Sequence, residues 1–180
     1  MKKYSLLILL VILLSVLSAC SSFFKPKDIK STDGKFQVTV PGDWNTETDL
    51  NKLASIQVAK SREEMYLIVI TEPKSDFPKS FNLEEFTKVV RDQMLKTVTG
   101  ANATQSESVT VSGNSAMRYE LSGTVKGINA KYINTTVETK DHFHQVLCWT
   151  MESKFSSNKS KLLEVTNSFK EATATIPATK

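Results

Sequence analysis

An unbroken apolar run over residues 6–14, preceded by Lys2 and Lys3, gives way after residue 20 to short alternating stretches. Asp33-Gly34 predicts a turn. Beyond it Phe36, Val38 and Val40 alternate with Lys35, Gln37 and Thr39, the period of a strand buried on one face, and Pro41-Gly42 stops it. Trp44 follows, placed to cover the end of a core. Residues 50–53 fit a helical turn and residues 55–59 a second short strand. Residues 65–71 are almost continuously apolar, which predicts a central strand covered on both faces, ended by Glu72-Pro73.

A polar loop over residues 74–81 leads to Asn82, three residues before Glu85, in the spacing of a capping box. A helix is expected from there. Leu83, Phe86, Val89 or Val90, Met94 and Val98 recur on one helical face, and Gly100 offers a stop. From residue 105 the pattern turns to strands with short connections: 106–111, 116–125, Ile128–Glu138 and His142–Met151. Short connections predict an antiparallel meander. A second amphipathic helix over 158–170 carries Leu162, Val165 or Thr166, and Phe169. The fold class is therefore α+β, with six or seven mostly antiparallel strands and two helices covering opposite faces of the sheet.

The first twenty residues change where such a domain is expected to work. The cationic pair and the apolar run have the order of a signal peptide, and the run is shorter than the roughly 20 residues that span a bilayer. Leu17-Ser18-Ala19-Cys20 resembles the lipobox of bacterial lipoproteins, which implies cleavage before Cys20 and a diacylglyceryl group on its sulfur. The expected division is a signal peptide over 1–19, a lipidated tether over 20–32, one domain over 33–171 and a loose tail over 172–180. Two or more acyl chains hold a protein stably on a membrane. Phe23 and Phe24 follow the anchor closely, with Lys25, Lys27 and Lys30 in the tether.

Composition narrows the chemistry. The formal charge of +4 includes Lys2 and Lys3, and no clustered basic face points to nucleic acid. With Cys20 acylated, Cys148 has no disulfide partner and is expected in the core. His142 and His144 stand two apart on one strand, so their imidazoles share a face. They are the candidate metal ligands, although a site needs three or four donors at fixed geometry. Tyr66, Tyr119, Tyr132, Trp44 and Trp149 are candidate cleft-lining aromatics or ordinary core. There is no Gly-x-Ser-x-Gly elbow and no phosphate loop, and no resident cofactor is called for.

Three stretches together resemble the PsbP-like proteins: Gly34-Lys35-Phe36 through Val38, Val40-Pro41 and Trp44; Val111, Gly113, Ala116 and Tyr119; and Asn167-Ser168-Phe169-Lys170. The chain departs from that family at Ser115, where proline is frequent. The resemblance implies an α/β/α sandwich and an extracytoplasmic, non-catalytic protein. The expected function is that of a membrane-anchored interaction or assembly module, meeting a protein partner at the membrane surface. The alternative is an envelope protein that binds a small ligand or metal in a cleft between sheet and helix.

Overall fold

The computed structural model describes residues 25–172, so residues 1–19, read above as a signal peptide, Cys20, Phe23, Phe24 and residues 173–180 lie outside the described residues. Eleven strands and two α-helices are described. The strands are β1 (Lys27–Lys30), β2 (Phe36–Val40), β3 (Asn45–Thr46), β4 (Ile56–Lys60), β5 (Met65–Pro73), β6 (Thr99–Ala103), β7 (Glu107–Val111), β8 (Asn114–Val125), β9 (Ile128–Glu138), β10 (His142–Met151) and β11 (Lys170–Glu171). The helices are α1 (Leu83–Thr97) and α2 (Phe155–Asn167). An eight-stranded sheet runs β3-β4-β5-β10-β9-β8-β6, with β7 also paired to β8, and a smaller sheet runs β1-β2-β11. Every pairing is antiparallel. No helix among the described residues is long and apolar enough to cross a membrane.

The two faces of the large sheet are covered unequally. Alternation sends Val146 and Cys148 of β10, with Leu67 and Val69 of β5, toward α2 and the small sheet, where they meet Val38, Val40, Leu162, Val165 and Phe169 in one fully buried core. The opposite face carries Phe143, Gln145 and Trp149, and α1 crosses only part of it, through Phe86 on Phe143 and Met94 on Tyr119. The helices therefore lie on opposite faces; β5 buries Met65, Leu67 and Val69 toward α2, while on its other face Ile68 is buried and Tyr66 and Ile70 are half-buried, so the double cover that its apolar run predicts is only partial.

Helix α1 begins as its sequence predicts. The Asn82 side chain accepts from the Glu85 amide at 3.0 Å and the Glu85 carboxylate accepts from the Asn82 amide at 3.0 Å. Phe86, Met94 and Val98 are buried, but Val89 is 55 % exposed, and Thr87 takes an inward position, its hydroxyl bonded to Leu83 O and to Thr136. The helix ends before Gly100, which instead stands at φ 63° where the β6–β8 register shifts. Helix α2 starts three residues ahead of Asn158, and residues 50–53 form turns and coil without a helical turn.

Four strands have no alternation to reveal them. β1 lies within the residues read as tether and holds only Ile29 among polar neighbours; its order comes from pairing Lys27 through Lys30 with Val40 through Gln37. β3 and β11 are two residues each, and β6 reads Thr-Gly-Ala-Asn-Ala. These strands form because neighbouring backbone offers unpaired donors and acceptors, which buried structure must satisfy.

Candidate functional site

The two histidines fall on β10 with their ring centroids 5.8 Å apart, on one face as their spacing requires. His144 is fully buried. Its Nδ1 lies 3.0 Å from the Thr71 hydroxyl and its Nε2 lies 3.2 Å from the Thr139 hydroxyl, so both ring nitrogens are engaged. Phe36 and Phe169 pack on the ring at centroid distances of 4.4 and 4.9 Å. Burial, with a smaller push from His142, takes the His144 pKa down to about 3. The imidazole is thus a neutral, hydrogen-bonded piece of core. No group of three or more His, Cys, Asp or Glu side chains among the described residues is arranged to hold a metal ion.

Cys148 lies further along the same face and is fully buried. Its thiol donates to Ile133 O at 3.6 Å and accepts from the Thr166 hydroxyl at 3.5 Å, and burial pushes its pKa up to about 11. A nucleophilic cysteine needs the opposite, an accessible and stabilised thiolate.

Two open depressions are lined by chemistry of different kinds. One lies between α2 and strands β7 and β8, with a volume of about 390 Å³, and holds Arg118, Glu120 and Lys159. Arg118 Nε donates to the Thr135 hydroxyl at 2.9 Å and its terminal nitrogen donates to Asn167 Oδ1 at 2.6 Å. Glu120 pairs with Lys159 at 2.6 Å and Lys131 at 3.4 Å; these hold its carboxyl below the usual range although partial burial pushes it up. Glu120 is answered by two lysines, whereas the Arg118 guanidinium is held by neutral acceptors and forms no ion pair among the described residues.

The other depression, about 500 Å³, occupies the part of the sheet that α1 leaves open. Its wall is aromatic: Tyr66 stacks on Trp149 with centroids 5.3 Å apart and planes at 16°, and Tyr132 lies 6.3 Å from Trp149. Register explains the assembly, because Tyr66 and Tyr132 are the two cross-strand partners of Trp149. At its rim, the β8–β9 turn exposes Val125 (39 %) and Ile128 (54 %), and Leu50 closes another side. Of the sequence-predicted aromatics, Tyr66, Tyr132 and Trp149 line this groove, whereas Trp44 and Tyr119 are core. Alternation gives no sign of Leu50, Val125 or Ile128 as rim residues. The one local signal is Lys126-Gly127, a two-residue turn with both φ values positive, which puts its flanking pair at a hairpin tip.

No protein-family model and no curated protein sequence matches the chain. Solved structures do. The solution structure of cyanobacterial PsbP (CyanoP) from Synechocystis sp. PCC 6803 aligns with a TM-score of 0.60 at 15 % identity, over 85 % of this chain and 97 % of that one. LpqN of Mycobacterium tuberculosis, involved in cell envelope biogenesis, aligns at 0.58 and 13 %, over 84 % and 93 %. A Pseudomonas aeruginosa protein of unknown function, a putative regulator, aligns at 0.51 and 6 %, over 86 % and 99 %. Identities this low speak to architecture, and the order of strands and helices that positions the groove and the cleft in this chain is that of the PsbP-like fold.

Proposed function

We propose that this chain is a lipid-anchored envelope lipoprotein whose domain acts as a non-catalytic interaction module for a protein partner at the same membrane surface. The observation that carries the reading is how little chain separates domain and anchor. Strand β1 begins at Lys27, seven positions after Cys20 in the Leu17-Ser18-Ala19-Cys20 motif. A domain held that close meets a membrane-bound partner as an effectively intramolecular encounter, with an effective concentration up to about the millimolar range. The likeness to LpqN, a protein of cell envelope biogenesis, is in keeping with this setting.

The test begins with radiolabelled palmitate in the native host. Label is expected on the wild-type chain and absent from Cys20→Ala; label on the variant overturns the anchor. The module is then tested by photocrosslinking groups placed over the outer surface of the anchored chain. One discrete adduct that is lost when Cys20→Ala releases the domain is the expected result, and no adduct at any position overturns the partner.

A second reading is favoured by the charged cleft. Arg118, Glu120 and Lys159 converge there, as groups that orient a small polar ligand do. Calorimetry with envelope sugars and nucleotides on the full chain separates the two readings: saturable heat lost in Arg118→Gln supports the cleft.

A further inference from the structure

We propose that the aromatic groove end of the domain rests on the bilayer, with Val125 and Ile128 of the β8–β9 turn seated in an interface that contains anionic headgroups. This rests on the reading of Cys20 as the lipid anchor and adds which side of the domain faces the membrane.

The direction of the chain fixes the geometry. Lys27 pairs with Val40, at the end of β2 opposite Phe36, whose ring packs on His142 and His144. From Val40 the chain turns through Pro41 to Asp43, which ion-pairs with Lys60 at 2.7 Å. Lys60 lies opposite Met65, and the next residue, Tyr66, lies opposite Trp149. The chain thus enters the domain at the end that holds the groove. Ala130 pairs with Met151, the last residue of β10, so the β8–β9 turn overhangs the sheet at this same end. Lys25 stands five positions after Cys20, a link that spans at most about 18 Å when fully extended. A lipid on Cys20 cannot be far from this end.

The surface chemistry there is that of an interfacial seat. The large apolar side chains most exposed among the described residues are Leu53 (76 %), Val89 (55 %), Ile128 (54 %) and Val125 (39 %). Leu53 belongs to the stretch leading to Ser55, whose carbonyl accepts from the Thr32 amide toward the Phe36 end, whereas Ile128 and Val125 flank the β8–β9 turn and line the groove together with Leu50. Behind them stand Tyr66, Tyr132 and Trp149, residue types that favour the headgroup level because each joins an apolar ring to a polar atom. Lys25, Lys27, Arg62 and Lys126 are exposed at this end and form no ion pair among the described residues; Asp43 and Glu64 are answered by Lys60 and Lys154, which leaves Asp28 and Glu152 as the exposed carboxylates without an ion pair against four such cations. Unanswered cations favour an anionic surface. The loop between β5 and α1, tied to the β9–β10 turn by the Lys74 amide on Asp141 O, is at the other end and faces away.

The test uses the full lipidated chain reconstituted into vesicles of phosphatidylglycerol and phosphatidylcholine in equal parts, with spin-labelled lipid as quencher. Cys148 is buried, so a polarity-sensitive dye attaches only at an introduced thiol: Ile128→Cys, Lys126→Cys or, as the outward control, Ser80→Cys. Quenching at Ile128→Cys and Lys126→Cys is expected to exceed that at Ser80→Cys by about twofold or more. Equal quenching at the three positions, in a preparation whose Cys20 carries palmitate and which floats with the vesicles, overturns the seat and leaves the anchor standing. Absence of palmitate overturns the anchor and the seat together. Protection of Ile128→Cys from a water-soluble maleimide in native membranes but not in vesicles assigns the patch to a protein and overturns the lipid assignment.

Discussion

Acid should unfold this domain first through His144. The ring is fully buried, has both nitrogens on threonine hydroxyls, and is packed between Phe36 and Phe169. Burial, helped by His142 and opposed weakly by Asp33, lowers its pKa from 6.5 to about 3. The unfolded chain therefore binds a proton between those values that the folded chain refuses. Stability is fully present above the unfolded value and falls as pH drops below it, by about 1.4 kcal/mol per pH unit. At pH 4.5 the loss is about 3 kcal/mol, a large part of the roughly 5–15 kcal/mol of a typical domain. The lowered carboxyls of Glu63 and Glu120 contribute near and below their ordinary value of 4.5, and those of Asp28, Asp33 and Asp92 near and below 3.8, so the window above pH 4.5 belongs mainly to the histidine. Urea unfolding of wild type and His144→Phe from pH 7.5 to 4.5 is the assay, with imidazole proton shifts recorded alongside. The chain has two histidines, so the variant assigns the signal by its loss. A wild-type slope that matches the variant's, or a His144 resonance with a midpoint near 6.5, refutes the reasoning.

Further outcomes follow from single positions. Gly123→Ala would place a Cβ 2.5 Å from Val98 Cγ1, 3.0 Å from Thr99 O and 3.2 Å from Ala101 Cα, and because two of these are backbone atoms it should cost about 1–3 kcal/mol in urea unfolding. Asn82→Ala removes the cap of α1 and should cost about 1 kcal/mol, seen in the same measurement. Cys148 should stay unlabelled by a disulfide reagent in the folded chain and react fully in denaturant; prompt native labelling would contradict its burial.

The parts of the fold legible in the sequence are those where one residue type answers one local need. The β2 alternation, the Asn82–Glu85 box and the limits of β9 and β10 agree with the structure because burial on one face, or an orphaned helix amide, dictates them on the spot. β1, β3, β6 and β11 were not legible, since their order is lent by partners distant in sequence: Lys170 pairs with Gln37, and β6 is held by β8. The same division governs the site. That His142 and His144 share a face is written in their spacing. That His144 is closed off by Thr71 and Thr139 is not, because Thr71 comes from β5, the neighbouring strand. Tyr66 and Trp149 were legible as aromatics, and their stacking depends on a register between β5 and β10 that no local pattern specifies.

The groove itself is a consequence of lengths. Seven strand positions at about 4.8 Å, with β6 and β7 sharing one edge of β8, make a sheet about 29 Å between its outer strands, and a 15-residue α1 extends about 22 Å. The opposite face has α2 together with the three strands of β1, β2 and β11, and it closes completely over Val146 and Cys148. The α1 face has the helix alone, so sheet at one end must stay partly open. Aliphatic side chains there would expose apolar surface with no polar atom to hydrate. Tyrosine and tryptophan resolve this, since their rings cover strand backbone while a hydroxyl or indole N–H meets water or headgroups. An aromatic rather than aliphatic wall at Tyr66, Tyr132 and Trp149 is therefore what a half-covered face requires, and Val125 and Ile128 are the excess. Val125 and Ile128 face each other as the cross-strand pair that closes the hairpin, yet both stay exposed where the turn overhangs the sheet, which is why that turn, beside the entry of the chain from Cys20, is the part of the surface that calls for a partner outside the domain.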